Sequence, residues 1–222
     1  MLGFTSTLLA ALIGALIGSV GAVFADHWLT QRTEEIRRRE ALAQRYLFQL
    51  QDAAEGLWYR LDNLTSAHGR FVMTDEYFET TTLYALGRVL AIERILALEG
   101  VYSQLDAAYP DLGNFLREHR IDRSLQGINL HQYDRVSLAE AMIEREGEQF
   151  RPSTYLEFRK RYEAEESPEK KWLTPASEAI RSLDNKQMLS LVDSLRTIAI
   201  RIAEKTGVPS SLPMRPGRRD NN

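Results

Sequence analysis

One acidic side chain falls where the surrounding sequence predicts a buried position. Residues 83–98 are apolar at most positions, and at about 100° per residue of helix Glu93 shares a face with Val89. A buried carboxylate needs a donor or a cation, which Arg60 or Arg94 could supply. Such a group can act as a catalytic acid or base when burial raises its pKa, but it is more often part of a structural ion pair. We therefore predict a buried ion pair of Glu93 with Arg60 or Arg94.

A second polar group brackets an irregular stretch of the chain. His119 and His131 flank residues with the least periodic pattern, and Asp122, Tyr133 and Asp134 are close to them in sequence. Together these side chains could line a pocket for a small ligand. Scattered surface residues explain the same pattern more simply, and we favour that interpretation.

Sequence signatures of common enzymes are absent. The chain has no phosphate-binding loop, no dinucleotide-binding glycine motif, no zinc-protease helix motif and no serine-hydrolase elbow. It has no cysteine, which excludes disulfides, thiolate metal ligands and thiol nucleophiles. Its net charge of −3 provides no overall positive field for binding nucleic acid. We predict no catalytic, cofactor-binding or metal site and no cofactor, and nucleic acid is not an expected partner.

The most prominent element is an uncharged N-terminal run. From Leu2 to Ala25 there is no Asp, Glu, Lys, Arg or His, and the run is rich in Leu, Ile, Val, Ala and Gly. About 24 helical residues span about 36 Å, enough to cross a hydrocarbon core about 30 Å thick. Residues 2–25 are therefore predicted to form a single transmembrane helix in contact with the lipid bilayer.

A cleaved signal peptide is the alternative interpretation of this run, with Val23 and Ala25 as the small residues before the cleavage site. A signal peptide has a basic start and an apolar stretch of about 7–15 residues, whereas this run has no basic start and a longer apolar part. Arg32 and the arginines at 37–39 follow the run, and basic flanks stay in the cytoplasm. The expected location is the cell or inner membrane, with the N-terminus outside and the remaining chain cytoplasmic.

Small residues recur every fourth position within the run. Ala10, Gly14, Gly18 and Ala22 would form one stripe, which lets a second helix approach closely. These four residues are a candidate site of transmembrane self-association. Glycine and alanine are also simply common in transmembrane helices, so both interpretations remain open.

The residues after the run have helical periodicity. A heptad-like apolar spacing begins at Ala43 and continues to Leu64, which suits either a coiled coil or one helix of an intramolecular bundle, and we favour the bundle. A second helix is predicted from Asp75 to about Ala107. Because residues 83–98 are apolar nearly all round, this helix should lie in the middle of the bundle.

Shorter helices are predicted in the second half of the chain. Their expected bounds are 111–120, 137–147, 155–166, 174–184 and a last helix that continues past a kink near Asp184 to Gly207. No alternating apolar run is bounded by hairpin turns, so sheet content should be near zero. The last residues are rich in Pro, Gly and Arg, which is typical of a disordered tail.

The sequence thus predicts an all-α fold, in which a single N-terminal transmembrane helix precedes a soluble helical bundle with long antiparallel helices. The predicted domains are a transmembrane helix at 2–25, a juxtamembrane helical linker at 26–42, a helical bundle at 43–207 and a disordered tail at 208–222. We expect a membrane-anchored interaction or scaffold module that binds a protein partner or self-associates. The alternatives are an enzyme or small-molecule sensor with a polar site in the bundle core, and an exported helical protein if residues 1–25 are a cleaved signal peptide.

Overall fold

The computed structural model describes residues 2–65, 75–125, 128, 130–147, 149–164 and 167–213, without the side chains of residues 2–26, 39, 75 and 103. Helices dominate these residues, which confirms the predicted all-α class. Contacts along the chain define two compact units, one ending at Leu42 and the other beginning at Ala43. The bounds of the elements are α1 Leu2–Thr65, α2 Asp75–Leu98, α3 Val101–Ala108, α4 Leu112–Glu118, α5 Ile121–Ser124, α6 Gln132–Ala141, β1 Ile143–Glu146, β2 Gln149–Pro152, α7 Tyr155–Tyr162, α8 Pro168–Arg181 and α9 Asn185–Thr206.

The first unit consists of the N-terminal part of α1. Every described side chain from His27 to Ala41 is exposed, including those of Trp28, Leu29 and Ile36. Among the described residues, no helix has both the length and the apolar character needed to cross a bilayer. The side chains of the predicted membrane segment 2–25 lie outside the described residues, so that segment stays a prediction.

The second unit begins with the C-terminal part of α1, which supplies one face of the core. The whole predicted heptad-like stripe is buried, and its members are Ala43, Leu47, Leu50, Ala54, Leu57, Leu61 and Leu64. Tyr46, Ala53 and Trp58 are buried beside them and widen the apolar face beyond a narrow coiled-coil seam. This width confirms the prediction of a bundle helix.

Helix α2 is the central element of the second unit. It packs against α3, α5, α6, α7, α8 and strand β2. Its buried side chains include Leu83, Val89, Ile92 and Ile95, as expected for a helix that is apolar nearly all round. The helix ends earlier than predicted, because Gly100 adopts a positive φ of 64° and the chain restarts as α3.

A β-hairpin replaces the second half of the helix predicted at 137–147. Helix α6 ends at Ala141, and β1 and β2 pair antiparallel with Glu146 opposite Gln149. Gly147 has a φ of 63°, a conformation suited to the tight turn of a two-residue hairpin loop. The prediction of near-zero sheet was therefore wrong for these eight strand residues. The two strands contain few apolar residues, so they lack the alternating apolar pattern that predicts a strand.

Two helix boundaries in the C-terminal half also differ from the sequence prediction. Helix α8 begins at Pro168, not near Thr174, because Ser167 caps it by accepting the Lys170 N–H. Pro175 therefore lies inside α8. Asp184 marks a new helix instead of a kink, since its side chain and that of Gln187 form a capping box for α9.

Part of the predicted disordered tail is bound to the bundle. Residues 208–213 follow the positive-φ cap Gly207, and their serines contact Glu55 on α1. The Tyr59 hydroxyl donates to the Ser211 carbonyl at 2.6 Å, and Leu212 is buried. Hydrogen bonds and the buried Leu212 side chain thus hold in place a segment whose composition alone predicts disorder. Residues 214–222 lie outside the described residues.

Candidate functional site

Three glutamates are buried in the described part of the bundle. Glu93 is the most enclosed at 2% exposure, while Glu55 and Glu79 are 8% and 9% exposed. All three sit on long helices that bury an apolar face, so each carboxylate must be compensated locally. The three glutamates differ in the donors that surround each carboxylate, and Glu93 is the one with the fewest.

Two backbone N–H groups hold the Glu93 carboxylate. Ile121 donates to Oε1 at 2.7 Å and Asp122 donates to Oε2 at 3.3 Å. These are the first N–H groups of the short helix α5, which have no partner within their own helix. The Glu93 side chain on α2 therefore accepts the unpaired N–H groups at the N-terminus of α5. The nearest cation is Arg120, whose Nε lies 3.9 Å from Oε2.

Burial raises the pKa of Glu93 to about 7, against the opposing effects of the Ile121 N–H, Arg120 and the Asp122 N–H. The other two glutamates behave differently. Burial also raises the pKa of Glu55, but hydrogen bonds from Ser211, Gln51 and Ser210 outweigh burial and leave that pKa below its ordinary value. Among these three carboxylates, only Glu93 changes charge near neutral pH.

Glu79 resembles Glu55 in its surroundings. It accepts hydrogen bonds from Tyr162, Ser177 and Arg181, which outweigh burial and keep the pKa of Glu79 below its ordinary value. These contacts join α2 to α7 and α8. A carboxylate with two hydroxyl donors and a guanidinium has its acceptor capacity well used. We interpret Glu79 as a structural cross-link within the bundle.

A chain of charges extends outward from Glu93. Asp122 Oδ2 lies 3.8 Å from Arg120, and Asp122 Oδ1 accepts from Arg135 Nε at 2.6 Å. Arg135 is itself buried and also donates to the Leu130 carbonyl at 2.7 Å. The series Glu93, Arg120, Asp122 and Arg135 thus alternates in charge and has a buried residue at each end.

The predicted cation partners of Glu93 lie elsewhere. Arg94 donates to Glu140 on α6 at 3.1 Å. Arg60 donates to the Thr82 hydroxyl at 3.2 Å and to the Phe78 carbonyl at 3.3 Å. The structure places Glu93 in the core as expected but pairs it with Arg120, which the sequence analysis did not select. Arg120 lies in the irregular segment between α4 and α5, so no helical periodicity in the sequence predicts that it is close to Glu93.

The candidate histidine pocket has only one of its residues at a cleft. A cleft of about 560 Å³ lies between residues 118–124 and one face of α9, and its lining includes His119 and Arg120. In the described structure this lining includes none of the other candidate residues, which are Asp122, His131, Tyr133 and Asp134. Tyr133 is 83% exposed. Of the five candidate side chains, the cleft lining includes only that of His119.

No family model, curated protein or solved structure matches this chain.

The chemistry available at Glu93 is limited by its enclosure. A carboxyl group with a pKa near 7 can both hold and release a proton at neutral pH. Catalysis also requires that a substrate reach the group, and Glu93 is almost fully covered and does not line the cleft. Among the described residues, no group of three or more His, Asp or Glu side chains could hold a metal ion. These facts favour a structural role for Glu93.

Proposed function

We propose that this chain is a membrane-anchored helical interaction module. In this proposal, residues 2–25 cross the bilayer once with the N-terminus outside, and the bundle from Ala43 lies in the cytoplasm. The bundle or the membrane helix binds a protein partner or a second copy of the chain. The proposal rests on the uncharged run, on the basic residues that follow it and on the exposed helical segment that contains them.

The observation that carries the proposal is the exposure of the helical segment 27–41. Trp28, Leu29 and Ile36 are 57%, 55% and 49% exposed, and the Arg32 guanidinium lies 5.1 Å from the centre of the Trp28 ring. Most helical stability in proteins comes from packing of an apolar face, and the described side chains of this segment pack against nothing in the described structure. An exposed helix with a tryptophan and flanking arginines suits the headgroup region of a bilayer.

Binding through the bundle is supported by its remaining exposed apolar side chains. Leu156 on α7 and Trp172 on α8 are 60% and 61% exposed. Tryptophan is enriched among the residues that contribute most to protein interfaces. Restriction to a membrane raises the effective concentration of two such modules, so weak contacts suffice.

The proposed function is tested by crosslinking the full chain in cells with an amine-reactive reagent. We expect a reproducible dimer or heteromeric product. If the small-residue stripe is the interface, Gly14→Leu combined with Gly18→Leu should reduce the dimer severalfold, because larger side chains keep the helices apart. The matched control is Leu12→Ile combined with Leu16→Ile, which changes the opposite helix face and should leave the product intact.

Trp172→Ala tests binding through the bundle in the same assay. It should weaken a heteromeric product, while Glu93→Gln should leave the product unchanged. A chain that stays monomeric under all crosslinking conditions contradicts the proposal.

A second candidate function is an enzyme or small-molecule sensor with a polar site in the bundle core. The raised pKa of Glu93 favours this candidate, whereas the enclosure of Glu93 opposes it. In that case Glu93→Gln should change ligand binding or turnover while crosslinking is unaffected by Trp172→Ala.

A further inference from the structure

Residues 119–125 cover the Glu93 carboxylate on one side. Their helix α5 packs on α2 and α9, and the side chains of Ile121 and Leu125 are fully buried. Both N–H groups that donate to Glu93 belong to this segment. Movement of the segment away from α2 therefore breaks both hydrogen bonds and exposes Glu93 to water.

The polar contacts at this junction are incomplete. Arg120 Nε lies 3.9 Å from Glu93 Oε2, beyond hydrogen-bond distance, and this nitrogen is buried without a hydrogen-bond partner among the described residues. The buried hydroxyl of Tyr102 on α3 also lacks a partner in the described part of the chain. Burial, and after it the charge of Glu93, raise the pKa of Tyr102, so that hydroxyl is close enough to Glu93 to respond to its charge. A buried network that is only partly satisfied stabilises its surroundings weakly.

The charges around Glu93 leave it with one distant cation. The charged and titratable side chains near it are Tyr102 on α3, Arg117 on α4, Arg120 and Asp122 in the segment, and Arg135 on α6. Asp122 and Arg135 pair with each other at 2.6 Å. Arg117 pairs with a carboxylate on α3 at 2.7 Å. Among these groups, Arg120 is therefore the cation that remains to compensate Glu93, and it does so without a hydrogen bond.

The protonation of Glu93 is linked to the position of the segment. Burial raises the pKa of Glu93 to about 7, and the Ile121 N–H, the Arg120 charge and the Asp122 N–H oppose this rise only in part. With the segment moved away, water reaches the carboxylate and its pKa returns toward 4.5. The closed arrangement thus binds the proton more tightly than the open one, so a rise in pH between these two values favours the open arrangement.

We propose that residues 119–125 form a pH-dependent cover on the bundle, which opens locally when the buried Glu93 carboxyl group loses its proton and closes on acidification. Opening uncovers the apolar side chains of Ile121 and Leu125. It also separates residues 118–124 from α9, which widens the cleft between them. The remaining helices keep their packing, because the movement involves one short helix and the turn before it.

The test is native-state hydrogen exchange of the full chain in neutral detergent from pH 5 to pH 8, with each rate corrected for intrinsic amide chemistry. The opening constant of the Ile121 and Asp122 amides should rise on the order of 50-fold over this range and level off above about pH 7. An opening constant that does not change with pH overturns the proposal.

Urea separates local opening from unfolding of the whole bundle. Local opening exposes little surface, so exchange at residues 119–125 should respond little to about 1 M urea. The buried α9 residues Leu195 and Ile198 should exchange far more slowly and should respond to urea, because their amides become accessible on global unfolding. Equal opening constants and equal urea responses in the two regions overturn the proposal. This comparison uses the wild-type chain, so it decides the matter even if a variant does not fold.

Glu93→Gln identifies the group that titrates. Glutamine keeps the shape of the side chain and an acceptor oxygen but carries no titratable proton, so the pH-dependent rise at residues 119–125 should disappear. The matched control is Glu178→Gln, at an exposed position on α8, which should keep the full rise. A rise that persists in Glu93→Gln overturns the proposal.

Discussion

At the scale of single residues, the buried glutamates show how the same side chain reaches different protonation states. Hydroxyl and guanidinium donors surround Glu55 and Glu79, so the charged form is favoured in the core. Glu93 has two backbone donors and a cation 3.9 Å away, which do not offset complete burial. The local supply of donors, not burial alone, therefore decides the pKa.

Glu93 should make the stability of the bundle depend on pH. Its pKa is about 7 in the folded protein and 4.5 ordinarily, so the folded state binds more protons than the unfolded state between these values. The free energy of unfolding should therefore fall as pH rises from about 4.5 to about 7, by a total on the order of 3 kcal/mol. Above that range this contribution to stability is absent.

This dependence is measured by urea unfolding of the full chain in neutral detergent from pH 5 to pH 8. Glu93→Gln should flatten the decline, since glutamine does not titrate. Glu178→Gln, at an exposed carboxylate, serves as the control and should keep the wild-type slope. Equal slopes for Glu93→Gln and wild type would show that Glu93 has no raised pKa.

The sequence located the buried carboxylate but not its partners. The 100° periodicity around Glu93 fixes which face it lies on, and that inference depends only on local geometry. Its donors Ile121 and Asp122 and its neighbour Arg120 come from 27 or more positions further along the chain. Their position depends on how α4 and α5 fold back onto α2, which no periodic pattern encodes. The predicted partners Arg60 and Arg94 instead hydrogen-bond to Thr82 and Glu140.

At the scale of elements, the C-terminal segment 208–213 acts as a strap on α1. Gln51, Glu55 and Tyr59 occur four residues apart, and all three hydrogen-bond to this segment. Arg196 on α9 donates to the Pro213 carbonyl at 2.9 Å. The segment thus ties the first bundle helix to the last.

Removing the serine hydroxyls of this strap should destabilise the bundle. Ser210→Ala combined with Ser211→Ala deprives the Glu55 carboxylate of two donors, which should lower the free energy of unfolding by about 1–3 kcal/mol at pH 7. The penalty should shrink as pH falls through the folded pKa of Glu55, because the protonated group needs fewer donors. Urea unfolding at pH 7 and at a series of pH values below 4.5 measures both effects.

Ser190→Ala combined with Ser194→Ala is the matched control, because these serines on α9 lie outside the strap. It should change the free energy of unfolding by less than about 0.5 kcal/mol. If both double variants behave alike, the strap contributes no specific stability.

Elements with a strong apolar period were predicted well, and elements defined by polar residues were not. The buried stripe of α1 and the α9 residues Met188, Leu191, Leu195, Ile198 and Ile202 are all in the core. The hairpin escaped prediction because its strands Ile143–Glu146 and Gln149–Pro152 are mainly polar and depend on the turn at Gly147. The early start of α8 escaped because Ser167 and Pro168 suit both a linker and a helix N-terminus.

At the scale of the whole molecule, the central claim is that a helical bundle is held at a membrane by residues 2–25. The sequence supplies the length and the absence of charge that this requires, and the arginines after the run determine the proposed orientation. The bundle from Ala43 carries its own core and would act on the cytoplasmic side. Orientation and cleavage of the N-terminal run are thus the decisive properties.

The measurement that tests this claim most directly is labelling of a single introduced cysteine, since the chain has none of its own. Glu178→Cys places it at an exposed position on α8. We expect an impermeant maleimide to label it only after permeabilisation, on a chain whose mass includes residues 2–25. Labelling in intact cells would contradict the proposed orientation, and a mass lacking residues 1–25 would show an exported protein released from a signal peptide.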